Sequence, residues 1–160
     1  MKDMNEYDVV QNVALGSIAL WIFSVEYYKR TEEKKGINLP ILMLVLPLVL
    51  NESFTNSVYA RNMKGGLFNS LNADSALFIG LQERMQDMSE LSLKSLNLCF
   101  SSKLLYYHHM THEIIPVRMG YTIINKYDSF KRITATSKRL GYWLATLEFD
   151  ELCQLMKVRF

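Results

Sequence analysis

The chain has few of the residues that announce chemistry. It has two cysteines, Cys99 and Cys153, and they form no CxxC pair. That spacing gives no zinc-ribbon or thioredoxin-like motif and reads as two reduced, buried thiols. The three histidines, His108, His109 and His112, fall in one short stretch with Glu113 as the nearest oxygen ligand. Structural zinc needs four protein ligands at recognisable spacing, so a polar turn is the better reading of that stretch. Charge of one sign is also scarce, with 18 Lys and Arg against 16 Asp and Glu and a net charge of +2. Bulk charge therefore does not mark a nucleic-acid binder, and any basic surface has to be local.

Long apolar runs are missing too. Val13–Val25 and Leu39–Leu50 are each shorter than the ~20 residues that cross a bilayer core. Gly16, Ser17 and Ser24 interrupt the first, and Pro40 and Pro47 interrupt the second. Such lengths suit buried core helices, with a peripheral membrane association left open. Asp3, Glu6 and Asp8 precede the first apolar run, where a signal peptide would be basic. The expectation is a soluble cytoplasmic chain.

What is present is an ordinary globular composition. The chain has 160 residues, of which 49% are hydrophobic and 21% charged. That suits one domain over residues 1–160, large enough to bury a core without staples. A first helix is expected from Asp8 to Lys34, before Gly36. It is apolar on nearly all faces, and such a helix is either central or covered by another chain. In so small a protein the pattern points to a partner. Leu39–Leu50 reads as a buried helix that Pro47 should kink or end. Short helices are expected at Thr55–Asn62 and Leu67–Leu71, with a turn at Gly65-Gly66. Asp74 opens a helix that carries Leu77, Phe78, Leu81, Met85 and Met88 on one face. Ser89 and Ser92 interrupt the pattern, and a further helix at Glu90–Ser102 turns Leu91, Leu98 and Cys99 inward.

The pattern then becomes β-prone. Leu104–Tyr107 and Ile114–Ile124 read as two short strands around a polar tip, with Pro116 at an edge or bulge. A helical cluster followed by a hairpin suggests a mainly α, winged-helix-like domain. The clearest amphipathic helix follows, at Asp128–Glu148, with Phe130, Ile133, Ser137, Leu140, Leu144 and Leu147 at spacings of three and four. Phe149–Met156 forms a last short helix.

No catalytic signature stands out. Gly65-Gly66 is followed by Leu67, where a phosphate loop would place lysine. The carboxylate pairs Glu32-Glu33 and Asp150-Glu151 sit at helix ends, and nothing converges them in a cleft. No GxSxG occurs. The expectation is a protein that is not an enzyme, with no cofactor and no metal. The best surface feature is the basic face of the long helix, where Lys131, Arg132, Lys138 and Arg139 form two pairs one heptad apart. With Lys126 they outnumber Asp128, and they are candidates for contact with DNA phosphates or a partner.

Several stretches together resemble a known family. Leu39–Leu50, LPILMLVLPLVL, resembles the apolar core of the middle components of bacterial three-component ABC systems. Ala76–Arg84 resembles that family's Leu-x-x-Gly-Phe-x-Glu-Arg-Ala segment, with Leu81 in place of phenylalanine. Ser137–Leu144 resembles its Ala-x-Arg-Leu-Gly-Arg-Trp-Phe segment, with Tyr142 in place of arginine. Leu155–Phe160 resembles its closing Leu-Leu-Gly-Val-Arg-Pro. The resemblance runs from about Val9 to Phe160. It implies an accessory subunit encoded beside an SMC-like ABC ATPase and an effector, as in the antiphage systems called Lamassu. There the small subunit joins the ATPase heads and holds the effector, often a nuclease, until foreign DNA is sensed. The implied state is a hetero-oligomer, with DNA reached through the complex and no active site in this chain. A stand-alone winged-helix DNA-binding regulator is the alternative.

Overall fold

The computed structural model describes residues 12–74, 76–122 and 127–160. The first helix among the described residues, α1, spans Val13–Arg30. Asn12 caps it, its side-chain oxygen accepting from the Leu15 amide at 2.9 Å. A start at Asp8 would lie outside the described residues. The helix stops at Arg30, short of Lys34, because Thr31 folds its hydroxyl onto the carbonyls of Tyr28 and Lys35, each at 3.0 Å. Glu32 and Glu33 then take left-handed backbone angles, φ 55° and 60°, which no helix continues.

The helix α1 is central, and the chain itself covers it. Ala19, Leu20, Ile22, Phe23 and Val25 are all at most 1% exposed. On one side lies α6, Ser89–Ser101, and on another α7, Asp128–Leu144. Small residues let these backbones approach. A Cβ on Gly16 would run into Ser95, and one on Gly141 would run into the Phe23 carbonyl. Ser17 Oγ donates to the Ser95 carbonyl at 3.0 Å, and the Cys99 thiol donates to the Ser17 carbonyl at 3.3 Å. The segment after the hairpin covers a further strip. Trp21 Nε1 donates to the Arg118 carbonyl at 3.0 Å, and the Trp21 and Tyr121 rings meet edge to face at 5.5 Å. The apolar girth of α1 is therefore met within the chain. It does not require a partner, contrary to the sequence-based inference.

Next comes α2, Leu39–Val49, with Pro40 in its first turn, where the missing N–H costs nothing. Pro47 lies inside the helix but only two residues before its end, so it closes α2 rather than bending it. Ile41, Leu42, Leu44, Val45, Leu46 and Leu48 are buried. The chain then turns by 91° into α3, Glu52–Val58. Asn51 starts α3 early, its side chain accepting from the Phe54 amide at 2.9 Å, so the helix precedes the Thr55–Asn62 window. Among the described residues no single helix is long and apolar enough to cross a membrane.

Two glycines in the left-handed region set the next starts. Gly65, φ 66°, precedes α4 at Gly66–Ala73, and Gly80, φ 72°, precedes α5 at Leu81–Asp87. The helix expected from Asp74 thus begins only at Leu81, although Leu77 and Phe78 are still buried. The interruption expected at Ser89 falls at Met88, between α5 and α6, whereas Ser92 lies inside α6. Ser92 and Ser95 face inward with Leu96 and Cys99, while Leu98 is exposed and Leu91 only half-buried. The inward face of α6 is small and polar because it lies against the Gly16–Ser17 stretch of α1.

Strands β1, Leu105–His108, and β2, Glu113–Pro116, pair antiparallel from Leu105↔Pro116 to His108↔Glu113. Ile37 adds an isolated bridge to Ile114. Strand β2 ends at Pro116 rather than Ile124, and the last residues of that expected strand, with Lys126, lie outside the described residues. After α7 comes α8, Phe149–Met156. Glu148 and Glu151 form a capping box there, which ends α7 at Leu144 instead of Glu148. Among the described residues the protein is mainly helical with one two-stranded antiparallel sheet, as the sequence pattern indicated.

Candidate functional site

The amphipathic α7 presents both candidate surfaces. Ile133, Thr136, Ser137, Leu140, Gly141, Trp143 and Leu144 are buried on its inner face. The four basic residues do not share one environment. Lys131 and Lys138 are exposed, whereas Arg132 and Arg139 are half-buried on the flank that meets α3.

Each arginine is bound within the chain. Arg132 pairs with Asp128 at 3.0 Å, donates to the Asn56 side chain at 2.9 Å, and lies 5.1 Å over the Tyr59 ring. Arg139 Nε donates to the Arg61 carbonyl at 2.6 Å, and a terminal nitrogen donates to the Ala135 carbonyl at 3.0 Å. Burial pushes its guanidinium below the usual arginine range. Periodicity had put all four on one stripe. It could not distinguish a side chain reaching outward from one folded back onto a neighbouring loop.

At its C-terminal end α7 carries a feature that sequence reading missed. Trp143 is 4% exposed, and its Nε1 donates to the Met63 carbonyl at 2.7 Å. With Arg139 it ties down the loop between α3 and α4. Beside it opens a cleft of about 260 Å³, lined by Arg30, Lys64, Phe68, Tyr142, Trp143 and Leu147 among others. The Arg30 guanidinium stacks 4.7 Å over the Tyr142 ring. Phe68, on α4, is 56% exposed. The adjacent aromatics Tyr142-Trp143 were visible in the sequence. Their meeting with Arg30 and Phe68 depends on long-range packing.

The histidines sit on the hairpin. His112 Nδ1 is 2.7 Å from the Tyr107 hydroxyl, and His108 Nδ1 is 3.0 Å from the Thr111 hydroxyl. His109 meets the Tyr107 ring edge to face at 5.1 Å. Among the described residues no group of three or more His, Cys, Asp or Glu side chains converges. Both cysteines are free thiols, and burial pushes Cys99 up to about 12. Arg84 donates to the carbonyls of Pro47 at 3.2 Å and Ile79 at 2.8 Å, bracing the end of α2.

A family model for ABC-three component (ABC-3C) system Middle Component 3 matches residues 2–160. The chain therefore belongs to the middle components of ABC-three component systems, and within them to the Middle Component 3 family. Membership implies partnership with the other components of such a system. No curated protein matches the chain, and no solved structure matches it.

Proposed function

We propose that this chain is the non-catalytic accessory subunit of a cytoplasmic, SMC-like ABC ATPase complex of the Lamassu antiphage type. In that complex it bridges the ATPase heads and a nuclease effector. The observation that carries the reading is the family match over residues 2–160. The outward cations Lys131 and Lys138, flanked by Arg132 and Arg139, are the contact surface for DNA or for an acidic patch of a partner. With two arginines already bound within the chain, two of the described cations on this face stand free, enough to orient a partner and few for tight phosphate binding.

In the alternative reading the hairpin after α6 would serve as a wing, and α6 would be the helix that enters the DNA groove. The one cation on α6 is Lys94, and Glu90 holds it at 2.6 Å. A single cation on that helix favours the subunit reading over a stand-alone regulator. Co-expression with the flanking reading frames, followed by mass measurement of the purified species, tests the reading. A stable complex with a large ATPase supports it. A chain that purifies alone, folded and monodisperse, sinks it.

A further inference from the structure

We infer that the cleft between the C-terminal ends of α1 and α7 and the start of α4 receives an acidic segment of a partner subunit. The segment inserts one aromatic or large aliphatic side chain. The inference rests on the accessory-subunit reading and names the surface through which that subunit is held.

Three observations carry it. The first is size. The volume, about 260 Å³, is below the ~300–1,000 Å³ typical of small-molecule sites, yet ample for a bulky side chain and its flanking backbone. The second is composition. The nearly buried Trp143 lines the cleft together with Phe68 and Tyr142, and Phe68 has more than half its surface in water. Aromatic residues and arginine in such a concave site are the groups that dominate binding energy at protein interfaces.

The third is charge. Arg30 and Lys64 are the charged residues that line the cleft, and both are cations. No described carboxylate pairs with either. Arg30 also lies over the Tyr142 ring, 4.7 Å from its centroid, a contact that restricts its guanidinium before an acid arrives. Aromatic lining beside two cations that no described carboxylate pairs complements an apolar side chain flanked by Asp or Glu. Nucleic acid is the other polyanion to consider. Two cations at one cleft give few phosphate contacts, and the nearly buried Trp143 ring has no open face on which a base could stack.

The test uses the complex co-expressed from the flanking reading frames, with Phe68 replaced by the photo-cross-linking residue p-benzoyl-phenylalanine. Illumination should join position 68 to a partner peptide that carries an aromatic or large aliphatic residue beside acidic ones, identified by mass spectrometry. A cross-link to nucleic acid, to a basic peptide, or to none in an assembled complex overturns the inference and leaves the subunit reading standing. A chain that captures no component overturns both. In parallel, Arg30→Glu with Lys64→Glu should weaken association about tenfold or more. Lys103→Glu, on the loop before β1, should leave it unchanged. Thermal unfolding checks that each variant is folded, and equal affinity of a folded double variant and the parent also overturns the inference.

Discussion

Trp143 and Gly66 share one space. A side chain on Gly66 would place its Cβ 2.5 Å from the indole Cζ2, and the same indole donates its N–H to the carbonyl of Met63 at 2.7 Å. The ring therefore braces the loop in front of α4 and requires α4 to begin with glycine. Gly66→Ala should destabilise the protein by about 1–3 kcal/mol through overpacking. Trp143→Phe removes the donor and should cost a similar ~1–3 kcal/mol. In the double variant the smaller ring relieves the clash, so the two costs should fall short of adding by at least ~0.5 kcal/mol. Urea unfolding of the four proteins measures this, and strict additivity would show that the two residues are not coupled.

The crossing of α1 and α7 makes a second prediction. At Gly141 the obstacle to a Cβ is the backbone carbonyl of Phe23, which cannot turn aside. Gly141→Ala should cost about 1–3 kcal/mol as the helices are forced apart. Gly120→Ala is the comparison, because nothing lies within 4 Å of a Cβ there. Its effect should stay within about 0.5 kcal/mol. Thermal melts that rank the two variants the other way would contradict the close approach described for α1 and α7.

The basic residues of α7 separate by role. Arg139→Ala leaves the Arg61 carbonyl without its donor and should lower stability by about 1–2 kcal/mol. Lys131→Glu and Lys138→Glu change exposed side chains and should shift stability by no more than about 0.5 kcal/mol. The lysine variants should instead weaken capture of the other components, or retention of DNA by the complex, more strongly at low salt than at high. Pull-down across a salt series reads this out. Lysine variants that assemble and retain DNA as the parent does would remove the basic face from the proposed function.

Alkaline pH makes a fourth. Burial raises the Cys99 thiol from the ordinary 9.0 to about 12, and it raises the Tyr27 and Tyr121 hydroxyls above 10.0. A group whose folded pKa is raised holds its proton more tightly in the folded state. Its contribution is intact below the unfolded pKa and is lost as pH rises toward the folded one. Stability should therefore be level up to about pH 9 and decline from there toward pH 12. Unfolding midpoints measured across that range check the sign, and a rise above pH 9 would refute it. Thiol titration at mildly alkaline pH should find Cys153 reacting first, with Cys99 silent until denaturant is added.

Local chemistry explains how much of this was visible in the linear chain. Helix α8 was read at its true limits, and α2 to within one residue, because both have clear starts and stops. The strong 3.6-residue pattern of α7 gave its existence and inner face, but Glu148 turned out to cap the next helix. Gly80 and Asn51 shifted two starts through a left-handed backbone and a side-chain cap, both local signals that apolar periodicity had outweighed. The α1 sequence identified a helix buried all round. What buried it was not legible, since Ser95, Gly141 and Trp21's partner Arg118 lie far away in sequence and are small or polar. The candidate site divides in the same way. Periodicity supplied four cations on α7, while the inward bonds of Arg132 and Arg139 and the stacking of Arg30 on Tyr142 arise only when distant helices meet.

The central place of α1 has a consequence for synthesis. About 100 residues separate the end of α1 at Arg30 from the start of α7 at Asp128. At roughly 5–20 residues per second a ribosome takes several seconds or more to make that stretch. For that interval an almost wholly apolar helix lacks the element that covers its longest side. Whatever first meets the growing chain reaches α1 before α7 does. The cover of α1 is therefore complete only once α7 has been made, so the helix synthesised first is among the last to be enclosed.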